Sequence, residues 1–562
     1  MRRLFALWLL VVLPVWALSE SFNETLTLHP LVGGRVHASF AFEIASETTS
    51  LHHFGLLPRA LWQPVVAQNV SELQLALTKG RWLYNVWGAP SFETMGDESV
   101  ASGAEVWAAM SNEEEMWPRW RVLTSALASL SCASLDAIDE KTTIQPSHAY
   151  FTHRSPVLHA YLPSESVCTE NISPLLKLLP CKGGAGLASL VKPHSILSAE
   201  FHSVVLHVER DATTWRMSLK VHAVMRPDTL GAHLWSFSDM FQTNLQSVCP
   251  IATSSRVIVH SDTEPQPLPA PVSMAAEEED ELLSDLLQEE EDDDEDMGLS
   301  STRVGPRAAF MTQLASYTYV TSSLDAYDKE LALQWTAPSD SLLLHPPPLQ
   351  ATRQVLGYGQ EHNTVRLTLR NSLPAETVRV LYYDHIPSMF LPLLHTMQAS
   401  AQVDEYDESD DMVRYADDIE LPFVVAAKYT PPRLREHMGA MELTLRVPAG
   451  STVTVTYTLM KHMLHYDEHV PDPHRGMDLP PALFMPLSGS FSRAKVHAPW
   501  PVARVQAARL YTSPSLLDMA APDFSMPYNI ILFYSTFVAL FFGTLLNTLL
   551  RRFRDMYSPK KE

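Results

Sequence analysis

Cysteine is scarce in this chain, with four residues in 562, at positions 132, 168, 181 and 249. No two of them stand as CxxC, which argues against zinc-ribbon and thioredoxin-like sites. Four cysteines allow three fully paired connectivities, and a bond to another chain is a further arrangement. The compact signatures of catalysis are also missing: there is no GxSxG, HExxH, Walker or GxGxxG pattern. The 23 histidines are scattered without ligand spacing. No metal and no cofactor are therefore expected. Asp, Glu, Lys and Arg are absent from Ile530 to Leu550, and Lys and Arg are absent from Glu277 to Asp296.

The first of these charge gaps speaks of a membrane. As a helix, residues 530–550 extend about 31 Å, the thickness of a hydrocarbon core. Arg551, Arg552, Arg554, Lys560 and Lys561 follow, and positive flanks stay cytosolic. A GPI-attachment signal would end at its apolar stretch, so this basic tail argues against one. At the other end, Met1-Arg2-Arg3 precedes an apolar run from Leu4 to Leu13, then Pro14, Ala17 and Ser19. That run is too short to span a bilayer and has the form of a signal peptide cut near Ser19. The topology expected is type I: signal peptide 1–19, a lumenal body, a transmembrane helix 529–550 and a cytosolic tail 551–562. The tail carries no dilysine retrieval pattern.

The second gap is an acidic insert. Net charge is −23, and Glu277–Asp296 holds 14 of the acidic residues, so the rest of the chain stands near −9. Acidity and compartment both speak against nucleic-acid binding. Residues 262–305 read as a disordered insertion, and Asp404–Glu420 as a second acidic loop. In the lumen, Asn23, Asn69 and Asn171 begin N-glycosylation sequons, the third followed by Pro174.

The apolar pattern predicts a mostly β chain with β-sandwich-like lumenal domains, an N-terminal α/β part over 20–200, and a β-rich part over 201–528. Strands are expected at Val36–Ile44, Trp107–Met110, Ser203–Val208, Trp215–Val224, Arg256–His260, Val365–Leu369 and Val378–Tyr383. Helices are expected at Pro64–Thr78 and Trp117–Leu135. Met441–Val447 and Ser451–Leu459 flank Pro448-Ala449-Gly450 and read as a hairpin. His52-His53 reads as a surface loop pair, and Asp384-His385 as strand-end turn residues rather than an acid/base site. In the apolar helix, Ser535, Ala539, Gly543 and Asn547 recur every fourth residue, a face fit for packing on another membrane helix.

Several segments resemble one family, the T subunit of the GPI transamidase complex, PIG-T in animals and its fungal counterpart. The longest runs from Ala521 to Ile530, Ala-Pro-Asp-Phe-Ser-Met-Pro-Tyr-Asn-Ile, where the body meets the apolar helix. Tyr466 to Gly476 ends in Pro471-Asp472-Pro473-His474-Arg475-Gly476. Val167-Cys168-Thr169-Glu170-Asn171 is followed by Leu178-Leu179-Pro180-Cys181. Shorter matches are Phe54–Leu61, Ser102–Glu105 and Cys132–Leu135. The resemblance implies a non-catalytic scaffold subunit in the endoplasmic reticulum membrane. It also implies an interchain disulfide from Cys168 to a cysteine-protease-like catalytic subunit, PIG-K. Cys181 and Cys249 are then expected to pair, with Cys132 buried and free on its helix or, alternatively, a pairing member. Two rivals are a stand-alone lumenal receptor or lectin-like protein and a membrane-anchored hydrolase.

Overall fold

The computed structural model describes residues 20–47, 55–87, 100–110, 115–146, 156–165, 168–210, 214–227, 234–261, 266–267, 315–320, 333–336, 349–373, 376–403, 423–465, 468, 476–487, 509–521 and 525–552. The signal segment 1–19, His52-His53 and the acidic loop 404–420 lie outside them.

In chain order the first strands are β1 (Glu20–Leu31), β2 (Arg35–Ser46), β3 (Val70–Lys79), β4 (Gly103–Met110), β5 (Thr143–Ile144), β6 (Val157–Leu162), β7 (Phe201–Arg210), β8 (Trp215–Met225), β9 (Leu234–Ser236), β10 (Ser254–Ser261), β11 (Gln266–Pro267), β12 (Ala315–Val320) and β13 (Leu333–Thr336). Between them lie helices α1 (Arg59–Ala67), α2 (Tyr84–Trp87), α3 (Met116–Ser131), α4 (Thr169–Leu176), α5 (Pro193–Ser198) and α6 (Phe237–Phe241). Ten strands make one sheet in the order β12-β10-β1-β2-β8-β7-β3-β4-β6-β5, and β11-β13-β9 make a small one. Alternation decides which face each residue takes. Val36, Ala38, Phe40, Phe42 and Ile44 of β2 enter a core shared with Trp62 of α1, Trp120, Leu123 and Leu127 of α3, and Ile172 and Leu175 of α4. On the opposite face, Phe201 and Val205 of β7 pack with Trp82 and with Trp87 of α2.

The second domain adds β14 (Leu349–Leu356), β15 (His362–Asn371), β16 (Val378–Ile386), β17 (Phe390–Val403), β18 (Val424–Thr430), β19 (Gly439–Val447), β20 (Ser451–Lys461), β21 (Met477–Leu479), β22 (Leu483–Pro486), β23 (Leu510–Tyr511) and β24 (Ser515–Leu517). The sheet β14-β15-β20-β17 faces the sheet β18-β19-β16-β22-β23. Val365, Leu367, Val453 and Val455 from one meet Val380, Tyr382, Leu443 and Leu445 from the other, the packing of a β-sandwich. Helix α7 (Ser525–Leu550) ends the fold. Its segment Tyr528–Leu550 is long and apolar enough to cross a membrane.

Mostly β with an N-terminal α/β part and one apolar C-terminal helix is the fold class read from the sequence, but several boundaries differ. The division at 200/201 runs through a single sheet, because β7 and β8 hydrogen-bond between β3 and β2. Pro64–Thr78 is not one helix. Asn69 adopts φ 54° and ends α1's turn, and Leu73, Leu75 and Leu77 then alternate in β3, paired with β4 and β7. β19 and β20 do not form a hairpin. They belong to opposing sheets, and Pro448-Ala449-Gly450 crosses the sandwich. Both arrangements alternate apolar residues toward one core, so the pattern alone does not separate them. Helix α3 stops at Ser131 rather than Leu135, since Cys132 turns to φ 54°. Within 262–305, Gln266 and Pro267 pair with β13. Pro267 is tolerated there because β11 is an edge.

Candidate functional site: the cysteine-bearing helix pair and the buried domain seam

Cys168 stands at the start of α4, and its position is set by one amide. The Cys168 backbone N–H donates to Asn171 Oδ1 at 2.6 Å. Asn171 Nδ2 donates to the carbonyls of Ser131 at 2.8 Å and Cys132 at 3.0 Å. The side chain of Asn171 thus ties the N-terminus of α4 to the C-terminus of α3, satisfying groups that helix ends leave open. Cys132 and Cys168 are both exposed free thiols. The expectation that Cys132 is buried is corrected: the left-handed turn at the end of α3 swings it out of the helix face that Leu127 and Ser131 bury.

Cys181 and Cys249 are joined by a disulfide, with Cα atoms 6.0 Å apart across 68 residues. The segment after Cys181 is pressed onto β1. Gly186 has φ +71°, and a Cβ there would meet both Glu24 carboxylate oxygens at 2.6 Å and Cys249 Cβ at 2.8 Å. Glu24 accepts from Ser255 Oγ at 2.7 Å and Leu187 N–H at 3.1 Å. Burial pushes its carboxyl up, and these hydrogen bonds only partly offset that. Disulfide, glycine and carboxylate together hold the stretch after α4 against the sheet.

The three sequons differ in place. Asn69 is exposed at the turn between α1 and β3. Asn23 is half-buried in β1, paired with Ser254 and Glu43. Asn171 is 2% exposed, and the nitrogen that would carry a glycan already donates two hydrogen bonds. The burial and the bonds of this amide are properties that a sequon, which records residue types alone, does not carry. Ser535, Ala539, Gly543 and Asn547 lie on the exposed surface of α7, where a Cβ on Gly543 would meet nothing within 4 Å.

The buried groups of acid–base type lie elsewhere, in the seam between the domains. Glu105 of β4 is 1% exposed. Its Oε1 accepts from Trp107 Nε1 at 2.8 Å and Tyr511 OH at 3.0 Å, and pairs with His159 Nε2 at 2.9 Å. His159 stacks on Trp107 with centroids 3.4 Å apart and approaches His385 at 4.4 Å. Burial raises Glu105, partly offset by Arg509 and its hydrogen bonds. Burial also pushes His159 well down, with Arg509 adding to it. Apolar side chains from both domains close around them: Ile144, Val157 and Tyr161 from the first, Tyr383, Ala440 and Leu483 from the second. Shielded from solvent on every side, this carboxylate and these imidazoles act as a lock between domains.

Asp384 and His385 lie near the end of β16, as expected, but they are paired strand residues, opposite Met441 and Ala440 of β19, and not turn residues. They point to opposite faces. His385 enters the seam and meets Tyr383 OH at 2.9 Å. Asp384 turns into the sandwich, where Arg353 Nη1 donates to it at 2.6 Å and Tyr382 OH at 2.6 Å. Burial lowers Arg353, but Asp384, with Tyr382 and Tyr457, raises it further, so the guanidinium stays charged. A cleft of about 380 Å³ opens where the domains meet, lined by Trp117, Glu140, Lys428, His437 and Glu442 among others. Glu105, His159 and Arg353 were not singled out from sequence. The available signal was a lone charged or imidazole residue inside an apolar strand, as in Gly103–Met110 and Val157–Leu162.

The family model described as "Gpi16 subunit, GPI transamidase component" matches residues 6–229 and 220–562. The human GPI-anchor transamidase component PIGT is 29% identical over 96% of this chain and 92% of its own. The mouse protein of the same name is 28% identical, covering 95% and 90%. The GPI transamidase component GPI16 of Saccharomyces cerevisiae is 24% identical, covering 94% and 88%.

Proposed function

Since the chain belongs to the Gpi16 family and is a component of the GPI transamidase, we propose that it is the non-catalytic scaffold of that complex, covalently tethered through Cys168 to a cysteine-protease-like, PIG-K-like subunit. The observation that carries the reading is a contrast of exposure. Its buried acid–base groups, Glu105, His159 and His385, are closed within the domain seam. Cys168 is an exposed thiol on a backbone held by Asn171. A thiol presented on a fixed helix end suits a bond to a second chain. The complex's reaction, cleavage of a C-terminal signal and transfer of the new carbonyl to the GPI ethanolamine, then belongs to the other subunit.

The topology proposed puts the two domains in the lumen of the endoplasmic reticulum, α7 across the membrane, and Arg551 and Arg552 at the cytosolic side. The face of Ser535, Ala539, Gly543 and Asn547 docks on another membrane subunit. Non-reducing co-purification with mapping of linked peptides tests the tether. Cys168→Ser should abolish the covalent heterodimer while Cys132→Ser leaves it. A heterodimer that persists in Cys168→Ser sinks the assignment. Gly543→Leu should weaken retention of membrane partners, and unchanged recovery of all of them ends the docking-face proposal. Recovery as a monodisperse single chain would favour the receptor reading.

A further inference from the structure

The end of the second domain at which β20 finishes is also the one from which the chain departs for α7. β20 runs toward that end and finishes at Lys461, whose register partner is Phe390 of β17. The Lys461 N–H donates to Glu361 O at 2.7 Å, in the turn between β14 and β15. His462 N–H then donates to Met389 O, and Leu464 N–H to Ala520 O, both at 2.9 Å. Lys461 Nζ reaches Asp518 O at 2.6 Å. From Ala521 to the start of α7 at Ser525, an extended chain spans at most about 15 Å, at roughly 3.3–3.6 Å per residue.

Loops at this level expose apolar side chains. Tyr358 is 100% exposed at the tip of the β14–β15 turn, between Gly357 with φ +97° and Gly359. Met463 is 61% exposed and Leu434, in the β18–β19 loop, 41%. Arg435 Nη2 donates to Met463 O at 2.8 Å, which joins those two loops. The charges here, Arg433, Arg435 and Lys461 against Glu361, Glu436, Glu468 and Asp518, nearly balance.

We propose that this end of the second domain, through Tyr358, Leu434 and Met463, dips into the interfacial layer of the bilayer that α7 crosses. Aromatic and aliphatic tips take up the boundary between headgroups and acyl chains. The occupant is lipid because the chain itself brings the membrane within a short tether of these loops. The near balance of charge makes the contact apolar, so it holds on neutral lipid and resists salt. It rests on α7 spanning a membrane and is independent of the tether at Cys168.

The test places the photoreactive residue p-benzoylphenylalanine at 358 in the full-length chain, in phosphatidylcholine nanodiscs. A control carries it at 449, which lies at the far end of β20, about 35 Å away at roughly 3.3 Å per residue. After irradiation, mass spectrometry should find phospholipid adducts several-fold more abundant from 358 than from 449, at low and high salt alike. A probe at 463 should behave as 358 does. Equal labelling at 358 and 449, adducts lost in high salt, or adducts from 358 on a polypeptide in the assembled complex would overturn the proposal.

Discussion

Removing the Asn171 side chain should loosen α4 from α3, whereas removing the sequon alone should do nothing. Asn171→Ala deletes one hydrogen bond to the Cys168 N–H and two to the carbonyls of Ser131 and Cys132. The Ser131 carbonyl bond is buried, and an orphaned buried acceptor costs about 1–3 kcal/mol, while the two bonds nearer solvent are worth about 0.5–1.5 kcal/mol each. The total comes to about 3 kcal/mol, equivalent to about 10²-fold in a local opening constant. Hydrogen exchange in the full-length chain reads this directly. Amides of residues 168–178 should exchange about 10²-fold faster in Asn171→Ala, where opening limits exchange. Ser173→Ala destroys the same sequon and leaves every bond of Asn171 in place. It should change neither exchange nor glycan mass. Loss of one glycan in Ser173→Ala, or unchanged exchange in Asn171→Ala, would refute the clamp.

Acid should destabilise the first domain through His37. Burial, with His29 adding to it, pushes this imidazole down to about 3, whereas the unfolded chain takes up its proton near 6.5. The stability it contributes is therefore whole above pH 6.5 and is lost as pH falls from there toward 3, about 2 kcal/mol by pH 5. Glu24 and Glu105 are shifted upward and act with the opposite sign, so the slope is read as the difference between wild type and His37→Phe in denaturant titrations. Gly186→Ala should cost about 2 kcal/mol or more, because its Cβ collides with Glu24 and Cys249 at a positive φ. The check is thermal unfolding together with the rate at which a mild thiol reductant opens the Cys181–Cys249 bond under native conditions, read by alkylation of the thiols released. Glu105→Ala leaves Trp107, Tyr511 and His159 without their shared acceptor and should cost about 3 kcal/mol or more. Limited proteolysis should then cut between the domains, and much less so in Glu105→Gln, which keeps an oxygen in place.

Elements whose period is local were legible in the sequence. Val36–Ile44 alternates strictly and forms β2. Trp120, Leu123 and Leu127 recur at helical spacing and form the buried stripe of α3. The apolar helix needs no partner to declare itself, since its length and lack of charge suffice. The motifs around Cys168 and Asn171 carried the family resemblance, but not the helix Thr169–Leu176 on which they lie. Nor did they carry the state of each atom. Asn171 begins a sequon, and its amide is buried and clamps two helix ends. Cys132, expected buried on an apolar helix, instead follows the end of that helix and is exposed.

The sequence by itself determined the mostly β content, the long apolar C-terminal helix and the family, because hydropathy, period and motif are properties of contiguous residues. The tertiary structure alone decided that β7 and β8 insert between strands more than 120 residues upstream, that β19 and β20 face each other across a sandwich, and that Glu105, His159, His385 and Tyr511 meet in one seam. Those outcomes depend on which distant strands pair, and a residue's neighbours along the chain contain no record of the partner that will bury it.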